Sequence, residues 1–191
     1  MAERAVLIAL AGLVIMRLLP TVTLHPYVLL LLASEVSAVI FLLIQRKGTW
    51  SSSFYTTFIA FAGTGASLLV IPKGEMIAPD HVAAALIWTG TAIAFAAKLS
   101  LRRSFGLVPA NRGIKSGGTY RFVRHPMYSG YVLNHIGFLL LYCSLWNVAV
   151  YAITWVLLYL RAIEEERFLL GDPLYVAYAQ SVKARLVPGL I

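Results

Sequence analysis

Residues 128–160 read YSGYVLNHIGFLLLYCSLWNVAVYAITWVLLYL, an apolar stretch without Lys, Arg, Asp or Glu. About 20 apolar residues are enough for one membrane helix, so this stretch is too long for a single span. Ser144 and Asn147 interrupt it and indicate a turn. We therefore predict a helical hairpin, with helices over 128–143 and 147–160, whose two ends emerge on the same side of the membrane.

The composition places the chain among membrane proteins. Of its 191 residues, 60% are hydrophobic and 13% are charged, and the mean hydropathy is +0.79. A soluble domain is typically about 45–50% apolar and about 25% charged. The single cysteine, Cys143, excludes a disulfide within the chain. The histidines show no paired spacing typical of metal ligands, so we predict no bound metal.

Four further apolar stretches predict membrane helices, over roughly 5–22, 27–44, 54–71 and 82–99. If the N-terminus is cytoplasmic, only Arg17 and Lys73 among the 16 Lys and Arg residues lie toward the opposite face. Cytoplasmic loops carry an excess of these residues, so we place both termini in the cytoplasm. The same bias explains the net charge of +8, and we predict no nucleic-acid partner.

These patterns predict an all-α fold, a polytopic membrane helical bundle of about six membrane segments in an inner or cytoplasmic membrane. We expect one integral membrane domain over 1–191. Its parts are four membrane helices in 1–100, a cytoplasmic loop with little regular structure over 101–127, the hairpin over 128–160, and a cytoplasmic C-terminal helix and tail over 161–191. A break in the last helix is predicted near residues 171–173, which read Gly-Asp-Pro.

Charged and titratable residues gather at both ends of the hairpin. Arg124 and His125 precede its first helix, and Arg161 and the run Glu164–Glu166 follow its second. Since Arg161 and Glu165 are four residues apart, they share a helix face. Adjacent carboxylates repel one another, and the available cationic partners are Arg121, Arg124 and Arg161. Ionisable residues near membrane depth are costly and tend to be functional, so we expect a polar pocket here.

A purely structural interpretation stays open for each residue alone. Arg161 could extend to the lipid headgroups, and Glu164–Arg167 could be a solvated helix start. His125 and Pro126 could mark only a helix entry, since proline suits the first turn. Asn134 and His135, within the first hairpin helix, are expected to make interhelical hydrogen bonds, with the lining of an acceptor tunnel as the alternative.

The segment 118–130, GTYRFVRHPMYSG, resembles the signature of the isoprenylcysteine carboxyl methyltransferase family, which is related to the phospholipid N-methyltransferases. A second feature of that family is a Glu-Glu pair with a leucine three residues later, which Glu165, Glu166 and Leu169 match. The tail resembles the family through Tyr175, Tyr178, Arg185 and Pro188. The resemblance covers about residues 98–191.

The resemblance implies methyl transfer from S-adenosylmethionine in a membrane-embedded site with a cytoplasmic cofactor pocket. There is no Gly-x-Gly-x-x-Gly after a strand, so the pocket would be built from helix ends and the loop. The residues implied to bind the cofactor are Tyr120, His125, Pro126, Tyr128, Glu165 and Glu166. The residues implied to orient the acceptor, as catalytic residues, are Arg161 and Arg124, because a guanidinium suits a carboxylate.

The expected acceptor is a lipophilic or lipidated carboxylate, such as an isoprenylcysteine-type group, which methyl transfer converts to a methyl ester. The short chain suggests a prokaryotic type of enzyme. The expected partners are this acceptor and membrane lipids; the sequence does not specify an oligomeric state. One alternative is methylation of a phospholipid or small amine, which requires a base to deprotonate the amine. Another is a membrane transporter or structural subunit, with a polar path seeded by Glu35, Asn134 and His135.

Overall fold

The computed structural model describes residues 28–51 and 53–189, together with residues 5, 8, 9, 12, 13, 15 and 16. The predicted span over 5–22 therefore lies largely outside the described residues, as does the side chain of Glu35. The described part of the chain is mostly helical. Its α-helices are α1 (Val28–Leu43), α2 (Phe54–Ala66), α3 (Asp80–Leu101), α4 (Pro126–Leu141), α5 (Leu145–Leu169) and α6 (Pro173–Ser181).

The hairpin is present as α4 and α5, but its second helix is longer than predicted. Ser144 begins α5 by accepting a hydrogen bond from the backbone N–H of Asn147 at 3.2 Å. The helix then continues without interruption to Leu169. No glycine or proline lies between Leu160 and Leu169, so nothing breaks the helix at the membrane boundary. The predicted end at residue 160 was wrong, and Arg161 lies within the helix.

The predicted break near residues 171–173 is confirmed. Asp172 accepts a hydrogen bond from the N–H of Leu174 at 2.9 Å, and Pro173 occupies the first turn of α6. An acidic N-cap followed by proline is a favourable helix start. The tail beyond α6 then returns to the beginning of α4.

Two of the described helices are long and apolar enough to cross a membrane. They are α5 and the helix formed by α3 with its 3₁₀ continuation, which together run over Asp80–Ser104. The apolar helix over Phe54–Leu69 is shorter. These helices indicate a membrane protein. The six membrane segments and the cytoplasmic termini stay predictions.

Helices α3 and α4 pack closely through small residues. A Cβ atom added to Gly90 or to Gly130 would collide with the backbone carbonyl of the other. Nearby, the Thr91 hydroxyl donates to Asn134 Oδ1 at 3.2 Å. Glycine thus permits a backbone approach that any side chain would prevent.

The interhelical hydrogen bonds predicted for this part of the hairpin are confirmed. Asn134 joins α4 to α3 through Thr91, and His135 Nδ1 accepts from Trp155 Nε1 of α5 at 3.1 Å. The His135 ring also stacks on Tyr151, with ring centroids 4.3 Å apart. These contacts connect both hairpin helices through groups that lipid could not satisfy.

At the opposite end of the bundle, Asn147 fastens the hairpin turn to the segment that follows α2. Its side chain is fully buried. The amide nitrogen donates to the carbonyls of Ile71, Lys73 and Tyr142, and the amide oxygen accepts from the Ile71 N–H at 3.0 Å. Asn147 therefore satisfies backbone groups of two connecting segments.

The loop between α3 and α4 has more structure than predicted. It contains 3₁₀ turns over Arg102–Ser104 and Gly118–Arg121, and a strand β2 (Ala110–Asn111) that pairs antiparallel with β1 (Thr49–Trp50). In the described part of the chain, this two-stranded ribbon departs from an all-α fold. Strands of two residues show no periodicity, and their partner is distant in sequence. The ribbon ties the loop to the connection between α1 and α2.

Candidate active site

Two adjoining clefts lie where α4 begins and α5 passes beneath the loop. Each encloses about 480 Å³, counting the part open to solvent. The residues that line both are Leu101, Ser104, Ala110, Arg112, Tyr120, His125 and Glu165. The first cleft extends to Tyr128 and Arg161, and the second to Arg124, Tyr175 and Tyr178. Pro126 and Glu166, also predicted as site residues, line neither cleft.

His125 is positioned by the start of α4. It is the N-cap residue, and Pro126, buried in the first turn, sets the entry of the chain into the helix. The imidazole stacks on the ring of Tyr128, with centroids 5.3 Å apart and ring planes within 1° of parallel. His125 Nε2 lies 3.0 Å from Glu166 Oε1. One edge of the imidazole is therefore held by a carboxylate.

Glu166 is the centre of a buried ionic cluster. Its Oε1 lies 3.1 Å from Arg124 Nε, and its Oε2 accepts from Arg185 Nε at 3.1 Å, in addition to the contact with His125. The Glu166 side chain is only 9% exposed. Both carboxylate oxygens are thus engaged within the protein. The hydrogen bond that Arg185 donates to Glu166 raises the pKa of Arg185, so this guanidinium stays charged.

The prediction of cationic partners for the glutamate run was partly right. Arg124 pairs with Glu166, but Arg121 lies over the Phe122 ring, 4.6 Å from its centroid. Arg185 was missing from the predicted site. It lies 19 positions beyond Glu166, and only the resemblance of the tail pointed to it. Spacing along one helix cannot identify a partner that arrives through a separate segment.

The three neighbouring glutamates have different surroundings. Glu164 pairs with Arg167 at 2.6 Å and accepts from the Thr56 hydroxyl at 3.4 Å. Glu165 lines both clefts and accepts from the Tyr128 hydroxyl at 3.2 Å. Glu165 is therefore the member of the run that faces the clefts, whereas Glu166 lines neither cleft and is engaged by Arg124, His125 and Arg185.

Arg161 is a buried cation in the first cleft, 6% exposed. Its terminal nitrogens donate to the Leu107 carbonyl at 2.7 Å and to the Thr64 hydroxyl at 3.3 Å. Its Nε is buried without a hydrogen-bond partner. None of the ion pairs in the described part of the chain includes Arg161. A buried charge without a counter-charge is costly, and an anion beside Arg161 would offset that cost.

Tyrosines form the wall of the second cleft. The Tyr178 hydroxyl donates to the Tyr120 carbonyl at 2.7 Å, and the Tyr175 ring meets Tyr178 edge-on. The Tyr175 hydroxyl is buried without a partner. Burial, and secondarily the charge of Glu165, raises the pKa of Tyr120 well above its usual range. Burial also raises the pKa values of Tyr175 and Tyr178. The phenols therefore stay neutral and keep their donor hydrogens.

Comparison with known proteins relates part of the chain to a known family. The family model described as phospholipid methyltransferase matches residues 78–171, which include α3, the loop, α4 and α5. No curated protein matches the chain significantly. The matched segment supplies most residues of both clefts, whereas α1, α2 and the tail lie outside it. Residues 78–171, just under half of the chain, are thus similar to the phospholipid methyltransferase family.

Proposed function

We propose that this protein transfers a methyl group from S-adenosylmethionine to the carboxylate of a lipophilic acceptor, such as an isoprenylcysteine-type group, and forms a methyl ester. The family match supports methyl transfer at a membrane. The observation that carries the choice of acceptor is Arg161, a buried guanidinium that lines the cleft with a free Nε–H and no carboxylate partner among the described residues.

The residues around the clefts fit S-adenosylmethionine. Glu165 can accept from an ammonium group or from ribose hydroxyls. Arg124, which lines the second cleft, can receive a carboxylate. The rings of Tyr120 and Tyr178 offer apolar faces for an adenine, and the unpartnered Tyr175 hydroxyl offers a donor. Glu166 is too occupied for this task, so we infer that Glu165 is the carboxylate that binds the cofactor.

The proposed reaction requires the protein mainly to position the acceptor relative to the methyl donor. When bound, S-adenosylmethionine would supply a methyl group whose bond to the sulfonium sulfur breaks as the acceptor carboxylate oxygen bonds to the methyl carbon, so that the neutral thioether S-adenosylhomocysteine leaves. A carboxylate is already ionised near neutral pH, so the acceptor requires no general base. Arg161 holds the acceptor oxygens with two-point geometry, since a guanidinium matches a carboxylate. The loop segment that includes Leu107 covers Arg161 and keeps the guanidinium largely away from water.

Methylation of an amine in the same cleft would have a different chemical requirement. A phospholipid amine must lose a proton before it can attack, and a neighbouring guanidinium repels both the ammonium form of the acceptor and the positively charged methylated product. A phosphate could nevertheless bind Arg161 in place of a carboxylate. The chemical stability of the product distinguishes the two acceptors.

The test is incubation of the purified protein with methyl-labelled S-adenosylmethionine and either prenylcysteine compounds or phospholipid extracts. We expect label in a lipophilic product that base releases as methanol, as a methyl ester requires. Base-stable label in an amine headgroup would replace the carboxylate assignment with N-methylation. Failure of the wild-type protein to bind S-adenosylmethionine would refute the methyltransferase function altogether.

A further inference from the structure

The tail that follows α6 supports the site through hydrogen bonds to the start of α4. The N–H groups of Arg124 and His125 donate to the carbonyls of Ala184 and Arg185 at 2.9 and 2.8 Å. The Ser129 hydroxyl donates to the carbonyl of Leu186. Three consecutive tail residues therefore run along the start of α4, the segment that presents His125 to the clefts.

Arg185 reaches His125 by two routes. Its carbonyl accepts from the His125 N–H, and its guanidinium binds Glu166, whose other oxygen contacts the His125 ring. The backbone contact fixes the position of the His125 main chain, and the side-chain contact through Glu166 fixes the orientation of the His125 imidazole. Because Arg185 occupies Oε2 of Glu166, the carboxylate is oriented with Oε1 toward His125 Nε2 and Arg124.

We infer that Arg185 is a positioning residue, which acts through Glu166 to hold the His125 imidazole in one orientation and one tautomer for cofactor binding. A carboxylate at Nε2 favours the proton on that nitrogen and leaves Nδ1 as the acceptor of the neutral ring. Without Arg185, Glu166 can rotate, and the ring loses this restraint. The inference rests on the proposed function, since the ligand expected at His125 is S-adenosylmethionine.

The chain offers two matched controls. Lys183→Gln removes the same charge from an exposed side chain on the same tail. Asn147→Ala weakens the fold at the opposite end of the bundle and leaves the clefts intact. The first control separates Arg185 from a general charge effect, and the second separates positioning from loss of stability.

The first experiment measures the affinity of the full-length protein for S-adenosylmethionine by calorimetry. We expect Arg185→Gln to weaken binding about tenfold, while Lys183→Gln and Asn147→Ala stay within about twofold of wild type. Arg185→Lys, which keeps the charge, should recover part of the loss. In a Glu166→Gln background, Arg185→Gln should add less than about twofold, because the route through Glu166 is already broken.

The second experiment observes the histidine directly and requires no cofactor. In ¹⁵N-histidine NMR spectra, the signal that His125→Asn removes should report an Nε2-protonated ring in wild type and an exchanging mixture in Arg185→Gln. Unchanged affinity together with an unchanged ring signal in Arg185→Gln would overturn the inference and leave the proposed function standing. Wild-type protein that binds no S-adenosylmethionine would instead refute the proposed function, and the ring signal would still decide whether Arg185 orients His125.

Discussion

Arg161 lies over the ring of Tyr128, with the guanidinium carbon 5.4 Å from the ring centroid. The hydroxyl of the same tyrosine donates to Glu165 at 3.2 Å. Tyr128 therefore contacts both a buried cation and the carboxylate one helical turn away on α5. The described structure shows no ion pair between Arg161 and Glu165, although they share a helix face. Each charge is thus left available to a different ligand.

Replacement of Tyr128 tests whether its ring keeps these charges apart. Tyr128→Phe keeps the ring and removes the hydroxyl, so we expect a modest loss of cofactor affinity. Tyr128→Leu also removes the aromatic face and allows Arg161 and Glu165 to pair. The Michaelis constant for the acceptor should then rise about tenfold or more above that of the Phe variant. Equal acceptor constants in the two variants would exclude a separating role for the ring.

Glu165 and Glu164 form a matched pair for testing cofactor binding. Glu165→Gln and Glu165→Ala should reduce the affinity for S-adenosylmethionine at least about a hundredfold, because a charged acceptor is lost from the cleft. His125→Ala should also abolish binding with the fold retained. Glu164→Gln removes a carboxylate that pairs with exposed Arg167 and should change the affinity by less than about twofold. If calorimetry gave wild-type affinity for the Glu165 and His125 variants, these two residues would not belong to the cofactor site.

Arg161 is expected to act on the acceptor and not on the cofactor. Arg161→Gln should lower kcat/KM for a carboxylate acceptor by about a hundredfold or more, with cofactor affinity nearly unchanged. Arg161→Lys keeps the charge and loses the planar fork, so its activity should be intermediate. Arg167→Gln, at an exposed position, is the control. Equal loss of cofactor affinity and acceptor turnover in Arg161→Gln would argue for a role of Arg161 in folding.

Asn147 should contribute to stability without contributing to activity. Asn147→Ala removes four hydrogen bonds to backbone groups, and although the Ile71 carbonyl keeps the Lys73 N–H, the other three groups lose this partner, so we expect the free energy of unfolding to fall by about 2–3 kcal/mol. Trp146→Phe removes a single, more exposed hydrogen bond to the Leu69 carbonyl and should cost about 1 kcal/mol or less. Denaturant titration in detergent measures both. A larger loss in the tryptophan variant would contradict this account.

The buried tyrosines predict a decline of stability at alkaline pH. Burial raises the pKa values of Tyr120, Tyr175 and Tyr178 in the folded protein, whereas an unfolded tyrosine ionises near pH 10. Above that pH the unfolded state loses protons that the folded state keeps, so the free energy of unfolding should fall. Tyr178→Phe should be less stable at neutral pH, because it loses the bond to the Tyr120 carbonyl. Its decline with pH should be shallower, and an identical slope would contradict the assignment.

The sequence was sufficient for features governed by local rules. The apolar length of residues 128–160, with Ser144 at the turn, predicted the hairpin, and Asp172 with Pro173 predicted the start of the last helix. The hairpin in turn explained why His125 and Glu165 line the same clefts. The helix boundary at residue 160 failed because a change from apolar to charged residues does not break a helix unless a residue opposes helical geometry.

The remaining features depend on contacts between distant segments. Nothing near Arg161 in sequence indicates that its partners are Thr64 and the Leu107 carbonyl. Likewise, three adjacent glutamates look equivalent until Arg185 and His125 engage one of them. The distinction between Glu165 and Glu166 comes from which side of α5 meets the tail, a property of packing and not of composition.

The short ribbon between β1 and β2 has a consequence for any attempt to isolate residues 78–171, the segment that matches the family model. Ala110 lines both clefts, and its strand partner is Trp50, which lies far upstream of residues 78–171. A fragment limited to that segment would retain its helices and lose the outer strand that holds the loop above them. A fragment that keeps the loop in place must therefore extend beyond residues 78–171 and include β1.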